Sequence, residues 1–267
     1  MRVLVTGGAG FIGSATAAAL RDAGYEVTVV DDLSRGREDM LPDDVRFIRA
    51  DVTDAAAMDP IVAEGAFDAC LHFAALIEVG DSMQRPDAYF ATNTAGTSRL
   101  LEVLLRHDVG RFVFSSTAAT YGEPIHAPID ETHPNTPTNP YGESKLMTER
   151  MLAWYRRLYG LRSASLRYFN AAGATGRHGE RVDAHQTHLV PLVLLAASGR
   201  RPNVRVFGTD YPTPDGTAVR DYIHVADLAD AHVLALAALD PSSAASRDGA
   251  AEAGTGDGRI VANLANG

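Results

Sequence analysis

Tyr141 and Lys145 stand four residues apart in Tyr141-Gly142-Glu143-Ser144-Lys145. On a helix that spacing is one turn, so both side chains share a face. An ammonium beside a phenol favours phenolate and draws the tyrosine pKa toward neutrality. Tyr141 would then accept a proton at physiological pH, where a free tyrosine is almost fully protonated. Upstream, Ser115-Ser116-Thr117 ends an apolar run. Thr117 is placed to hydrogen-bond a substrate hydroxyl next to Tyr141, or to cap its own strand end.

A second constellation lies at the N-terminus. Gly7-Gly8-Ala9-Gly10-Phe11-Ile12-Gly13 satisfies G-x-x-G-x-x-G between an apolar run and an alanine-rich one, the context of a dinucleotide loop. Gly7 and Gly10 would allow the tight turn and a close approach to pyrophosphate. Gly13 would let helix pack on strand, and the helix N-terminus supplies free N–H groups. Asp31 ends the next strand, 18 residues after Gly13. A carboxylate there accepts both ribose hydroxyls of an adenosine and repels a 2′-phosphate. Arg35 and Arg37 follow and argue for NADP, but Asp31 holds the position that touches the ribose, so NAD is expected. Asp51-Val52 ends the third strand as a neighbour of the adenine, Asp51 reading equally as a turn or cap residue. His72-Phe73-Ala74-Ala75 ends the fourth, at the sheet edge where such folds bind ligands.

The elements that must carry these residues alternate between strand and helix. Strands are expected at Arg2–Thr6, Glu26–Val30, Val45–Ala50, Ala69–Phe73, Arg111–Ser115, Arg162–Tyr168, Val204–Phe207 and Arg259–Leu264. Helices are expected at Ser14–Asp22, from about Asp54, at Asn93–Arg106, from the Asn139 cap and Pro140 to about Leu158, at Leu189–Ser198 and at Asp227–Leu239. That rhythm is α/β with a doubly wound parallel sheet. It fails after Asn170, where Ala171–Thr187 is rich in Gly, His and charge, and Asp240–Gly258 reads as an Ala/Ser/Gly loop.

A chain of 267 residues with 46% hydrophobic content can build a real core. A net charge of −10 disfavours nucleic acid as a partner. No apolar run reaches membrane-span length. The single cysteine, Cys70, reads as a buried core thiol, and a reducing cytoplasm is the expected location. His178, His185 and His188 lie close together with Glu180 and Asp183, but their spacing matches no metal-ligand pattern, so no metal is expected.

Together these stretches resemble the extended short-chain dehydrogenase/reductase superfamily and, more narrowly, its UDP-glucose 4-epimerase (UDP-galactose 4-epimerase) family. The similar segments are Val3–Ser14, Ser115–Gly122, Pro140–Met147 and Arg167–Asn170. The most specific runs from Phe207-Gly208-Thr209-Asp210-Tyr211 to Asp221-Tyr222-Ile223-His224-Val225. The resemblance implies a Rossmann-type NAD-binding domain over 1–170, with 221–239 and 259–264 packing back on it. It assigns 171–220 and 240–258 to a smaller, incomplete substrate-binding lobe. It implies reversible 4-epimerisation of a UDP-hexose through a 4-keto intermediate, with transient reduction of bound NAD. Tyr141 would take the proton from the sugar 4-hydroxyl, Thr117 would position that hydroxyl, and Lys145 would tune Tyr141 and hold the nicotinamide ribose. NAD contacts would fall on Phe11, Ile12, Asp31, Asp32, Leu33, Ser34, Asp51, Val52, Phe73, Ala74, Ala75, Asn93 and Phe169. UDP-sugar contacts would fall on Asn170, His188, Leu189, Val206, Phe207 and Arg220, with Arg220 facing phosphate; an ion pair with Asp221 is the competing reading for that arginine.

Ile77 stands where many members carry lysine, and His188 where some carry asparagine. Asn263-Leu264-Ala265-Asn266-Gly267 resembles a turn after which members continue, so the chain reads as cut short within its substrate lobe. NAD binding without full epimerase activity is the expectation for residues 1–267. Related readings are a UDP-pentose or UDP-N-acetylhexosamine epimerase; a non-catalytic NAD or sugar-nucleotide binder is the reading from another class. A homodimer is compatible with all of them.

Overall fold

The computed structural model describes residues 1–180, 186–241 and 258–266. In chain order it runs β1 (Arg2–Thr6), α1 (Phe11–Asp22), β2 (Glu26–Asp31), β3 (Arg46–Arg49), α2 (Ala55–Gly65), β4 (Ala69–His72), α3 (Val79–Ser82), α4 (Pro86–Tyr89), α5 (Thr97–Arg106) and β5 (Arg111–Thr117). There follow α6 (Pro140–Tyr159), β6 (Arg162–Tyr168), β7 (Asn170–Ala172), β8 (Ala174–Thr175), β9 (His178–Gly179), α7 (Leu189–Ala197), β10 (Tyr222–His224), α8 (Val225–Ala238) and β11 (Arg259–Leu264). Seven strands form one sheet in the order β11-β6-β5-β4-β1-β2-β3, and every pairing in it is parallel.

Buried strands need apolar residues on both faces, and the alternation along β1 shows how these two faces are filled. Val3 and Val5 join the cluster under α1 and α8, with Leu20, Leu228 and Leu236. Leu4, between them, joins the opposite cluster under α2, α5 and α6, with Met58, Leu104, Phe112 and Leu152. Cys70 is a free, fully buried thiol in the second cluster. The strand order turns back on itself between β1 and β4, where Thr6 lies opposite His72. Such a switch point opens a crevice at the carboxyl ends of the strands.

Local chemistry sets the helix ends that face this crevice. Asn139 accepts from the Gly142 N–H at 2.8 Å, Pro140 occupies the first turn, and Gly160 closes α6 at φ +72°. Asp54 caps α2 through the Ala56 and Ala57 N–H groups. The helix expected from Asn93 differs in form. A π-helical segment, Phe90–Gly96, precedes α5 and continues back into α4.

Behind the sheet edge, β7 pairs with β10 and β8 with β9, in runs of two or three residues. The strand expected at Val204–Phe207 does not form. That segment has no pairing partner among the described residues, and Val206 and Phe207 are 70% and 80% exposed. No residue of α7 is buried. The loop expected at Asp240–Gly258 lies largely outside the described residues.

Candidate active site

The glycine loop is shaped by contacts that leave no room for side chains. Gly7 sits at φ +68°, and a Cβ on it would lie 2.4 Å from the Ala74 backbone nitrogen. A Cβ on Gly13 would lie 2.4 Å from the Gly7 carbonyl oxygen. Strand β1, the α1 start and the Phe73-Ala74-Ala75 turn therefore meet in backbone contact, tied by Phe73 and Ala74 N–H donation to the Thr6 carbonyl. The N-cap of α1 is Gly10, which offers no side-chain cap, and its first turn carries no acid. The N–H groups of Phe11, Ile12 and Gly13 thus face the crevice without a side-chain acceptor, as an anion at a helix N-terminus requires.

Asp31 is 6% exposed at the end of β2. Its two oxygens accept from Ala9 N–H at 3.1 Å and Leu33 N–H at 2.8 Å. Burial pushes its pKa up, and the two backbone N–H groups oppose that. The carboxylate is therefore locked beside the glycine loop, with lone pairs left for ribose hydroxyls. Asp32 accepts from the Ser34 N–H and hydroxyl, shaping the turn that follows. The two arginines that argued for a 2′-phosphate are both committed elsewhere: Arg35 to Glu78 at 2.9 Å, Arg37 to Asp39. These residues fit a dinucleotide that carries a free adenosine 2′-hydroxyl.

Other expected cofactor residues hold the crevice walls. Asp51 accepts from the Thr53 N–H and hydroxyl, both at 2.8 Å, so its local role is a turn. Val52 is buried in the core. Asn93 is buried, and its amide is fully occupied: Oδ1 accepts from Leu76 N–H, while Nδ2 donates to Leu76 O and Ser144 Oγ. It clips the loop after β4 to α6. Phe73 packs on His232 at 4.8 Å, and Phe169 leads from β6 into β7.

On α6, Lys145 is 2% exposed and donates to the Ser115 carbonyl at 2.8 Å, with its ammonium 4.9 Å from the Phe114 ring centre. Burial holds its pKa down to about 7. Tyr141 lies one turn earlier, edge-on to the Tyr89 ring at 6.4 Å. Burial pushes its phenol up, opposed by a hydrogen bond with Thr117. The downward shift expected from Lys145 does not arise in this arrangement, because the ammonium is turned to Ser115. Thr117 makes the capping contact, its hydroxyl accepting from the Ala119 N–H at 3.1 Å, and it meets the Tyr141 phenol. Tyr141, Lys145 and Thr117 thus converge at the carboxyl end of β5.

The expected substrate residues are less tightly gathered. Asn170 donates from Nδ2 to the Asp221 carbonyl at 2.6 Å, joining β7 to the start of β10. His188 stands at the N-cap position of α7 without a side-chain capping bond and pairs with Glu180, which pushes its imidazole pKa up. Leu189 is half exposed. Arg220 is exposed, and its guanidinium donates to Val219 O rather than pairing with Asp221. No hydrogen bond ties Val206 or Phe207 to the crevice among the described residues. His178 and His188 are not gathered with other ligands there, and His185 lies outside the described residues. Sequence reasoning gave no role to the buried polar residues Glu149, Arg167 and His232, and it named His72 and Ser116 only as parts of strand ends. The signal for Glu149 was its place four residues after Lys145 on the Tyr141 stripe.

Comparison with known proteins places this geometry. Residues 3–245 match the model of the NAD dependent epimerase/dehydratase family. A UDP-glucose 4-epimerase of Corynebacterium glutamicum is 47% identical over 261 residues, spanning 98% of this chain and 77% of that protein. The crystal structure of UDP-glucose 4-epimerase from Brucella ovis in complex with NAD superposes with a TM-score of 0.89 at 44% identity, over 99% of this chain and 77% of that one. The UDP-glucose-4-epimerase of Stenotrophomonas maltophila, solved with bound NAD and formylated UDP-arabinopyranose, gives 0.90 at 40% identity, over 100% and 78%.

Proposed function

We propose, from the premise that this chain belongs to the NAD dependent epimerase/dehydratase family, that it interconverts UDP-glucose and UDP-galactose. The observation that carries the reading is the convergence of Tyr141, Lys145 and Thr117 at the same sheet edge as the glycine loop and Asp31. Phe11–Gly13 hold the pyrophosphate of NAD and Asp31 its adenosine ribose. When bound, NAD supplies the acceptor and donor of hydride at sugar C4.

The chain's own residues handle the proton. Thr117 holds the 4-hydroxyl beside Tyr141. The Tyr141 oxygen accepts that proton as the sugar is oxidised and returns it as the sugar is reduced. Buried surroundings favour the neutral phenol, so ionisation needs a nearby cation. Lys145, one helical turn away, supplies it when its ammonium leaves the Ser115 carbonyl and turns to the phenol. Asn170, His188, Leu189, Val206, Phe207 and Arg220 form the sugar-nucleotide side, with Arg220 facing the diphosphate.

Residues 1–170, with 221–239 and 259–264, make the cofactor domain, and β11 on β6 and α8 on α1 supply the contacts. Two copies associate through the exposed α6 stripe of Met147, Trp154 and Leu158. The described residues include no helix long and apolar enough to cross a membrane. The test is a panel of UDP-hexoses, UDP-N-acetylhexosamines and UDP-pentoses given to the full-length protein; the pentoses belong in it because a relative was solved with a UDP-arabinopyranose derivative. Interconversion of UDP-glucose and UDP-galactose supports the reading. No turnover of any UDP-sugar refutes it.

A further inference from the structure

One residue per strand forms a polar row across the sheet: Ser116 on β5 lies opposite Arg167 on β6, and Arg167 opposite Asn263 on β11. Glu149 of α6 bridges this row. Its Oε1 accepts from Ser116 Oγ at 2.5 Å and Arg167 Nε at 3.0 Å, and its Oε2 accepts from Arg167 Nη2 at 2.6 Å. Both members of the ion pair are 3% exposed. The guanidinium lies 4.8 Å over the Tyr121 ring, whose hydroxyl donates to Asn263 Oδ1 at 2.6 Å. Arg167 Nη1 has no hydrogen-bond partner among the described residues.

Such a pair is a poor device for stability alone. Desolvating two charges offsets most of their attraction, and a buried donor is left over. Its position is more informative. Glu149 follows Lys145 by four residues and Tyr141 by eight, on one stripe of α6. Ser116 lies between Ser115, whose carbonyl receives Lys145, and Thr117, which meets Tyr141. The clamp therefore sets the height of the β5 tip against the reacting face of α6.

We propose that Glu149 and Arg167 are positioning residues, holding Ser115–Thr117 in register with Tyr141 and Lys145 through the Ser116 hydroxyl. This rests on the reading of Tyr141 and Lys145 as the reacting pair. A slip of the strand tip moves Thr117 off the phenol and the Ser115 carbonyl off the ammonium. Displacements of about 1 Å in such sites cost on the order of 10²-fold in rate.

The test compares wild type, E149Q and S116A in the full-length protein loaded with NAD. E149Q keeps the shape but sets an amide N–H₂ against the guanidinium, and it leaves a buried charge that endangers folding. S116A leaves the ion pair whole and guards against that outcome. The expected result is a kcat fall of about 10²-fold in E149Q, smaller in S116A, with KM unchanged. The second readout needs no turnover: an NMR titration of the Lys145 amine. His72 is a titratable group that interacts with that amine, and it stays neutral above about 3. Loosening the tip admits water, so the Lys145 pKa rises from about 7 toward its ordinary value in both variants. A kcat that falls only in proportion to folded protein, or a Lys145 titration unmoved in S116A, overturns the proposal. If wild type turns over no UDP-sugar, the functional reading fails, while the amine titration still decides the clamp.

Discussion

Asp31→Asn separates the two duties of that carboxylate. The substitution preserves shape but replaces one acceptor oxygen with an N–H₂ group. In the folded protein both oxygens already accept from backbone N–H groups, Ala9 at 3.1 Å and Leu33 at 2.8 Å. One of those contacts must become donor against donor, and Leu33, held at φ +62°, is the weaker point. Leaving a buried N–H unpaired costs about 1–3 kcal/mol, which lowers Tm by about 2–4 °C per kcal/mol for a chain of this size. The second loss is in binding. Hydrogen bonds to a charged acceptor are worth about 1.5–3 kcal/mol and neutral ones about 1 kcal/mol. Two ribose hydroxyls then lose roughly 1–4 kcal/mol together, or about 5- to 1000-fold in Kd. NADP should lose less, because the carboxylate that repels its 2′-phosphate is gone. Calorimetry with NAD and NADP on both proteins, after a thermal melt to count folded protein, gives both numbers. Wild-type preference for NADP, or an Asn variant with unchanged NAD affinity, would refute the assignment.

Gly7→Ala forces a Cβ to 2.4 Å from the Ala74 nitrogen at φ +68°; the expected result is a loss of about 1–3 kcal/mol from backbone strain and loss of NAD binding, read by denaturant melts and cofactor titration. Stability should fall as pH drops from about 6.5, because burial depresses His72 to about 3 and His232 to about 4, so the unfolded chain binds protons that the folded one refuses. Each group contributes a slope of up to about 1.4 kcal/mol per pH unit between its folded and unfolded values; urea midpoints at pH 7 and 5 check this, and His72→Asn should flatten the slope. Trp154→Glu should convert a homodimer to monomers by light scattering, with NAD binding kept; an unchanged mass would remove α6 from the interface.

The strands and helices of the sheet were legible because each carries a strong local signal. Arg2–Thr6 and Arg259–Leu264 form as the sequence predicts, since parallel strands read as short apolar runs between turn residues. The α6 start followed from Asn139 and Pro140, which act within four residues of themselves. Val204–Phe207 misled for the converse reason: its pattern is that of a strand, but pairing needs a neighbour, and the sequence does not say where one is. The two- and three-residue strands β7 to β10 are too short to leave a pattern. In the site, glycines and Asp31 were legible from spacing alone. Glu149, Arg167 and His72 were not, because their partners lie 18 to 66 residues away and a single polar residue carries no local sign of its burial; Asn93 came through the family resemblance, not from its spacing.

Tyr141→Phe tests the central claim most directly. Only the phenolic oxygen is removed, so the edge contact with Tyr89 and the helix start should persist. The measurement is the rate of UDP-galactose to UDP-glucose conversion by the full-length variant, with NAD binding titrated on the same sample. The account predicts intact NAD binding and a kcat lower by about 10²–10⁴-fold. Near-wild-type epimerisation by this variant would contradict the placing of the proton transfer at Tyr141.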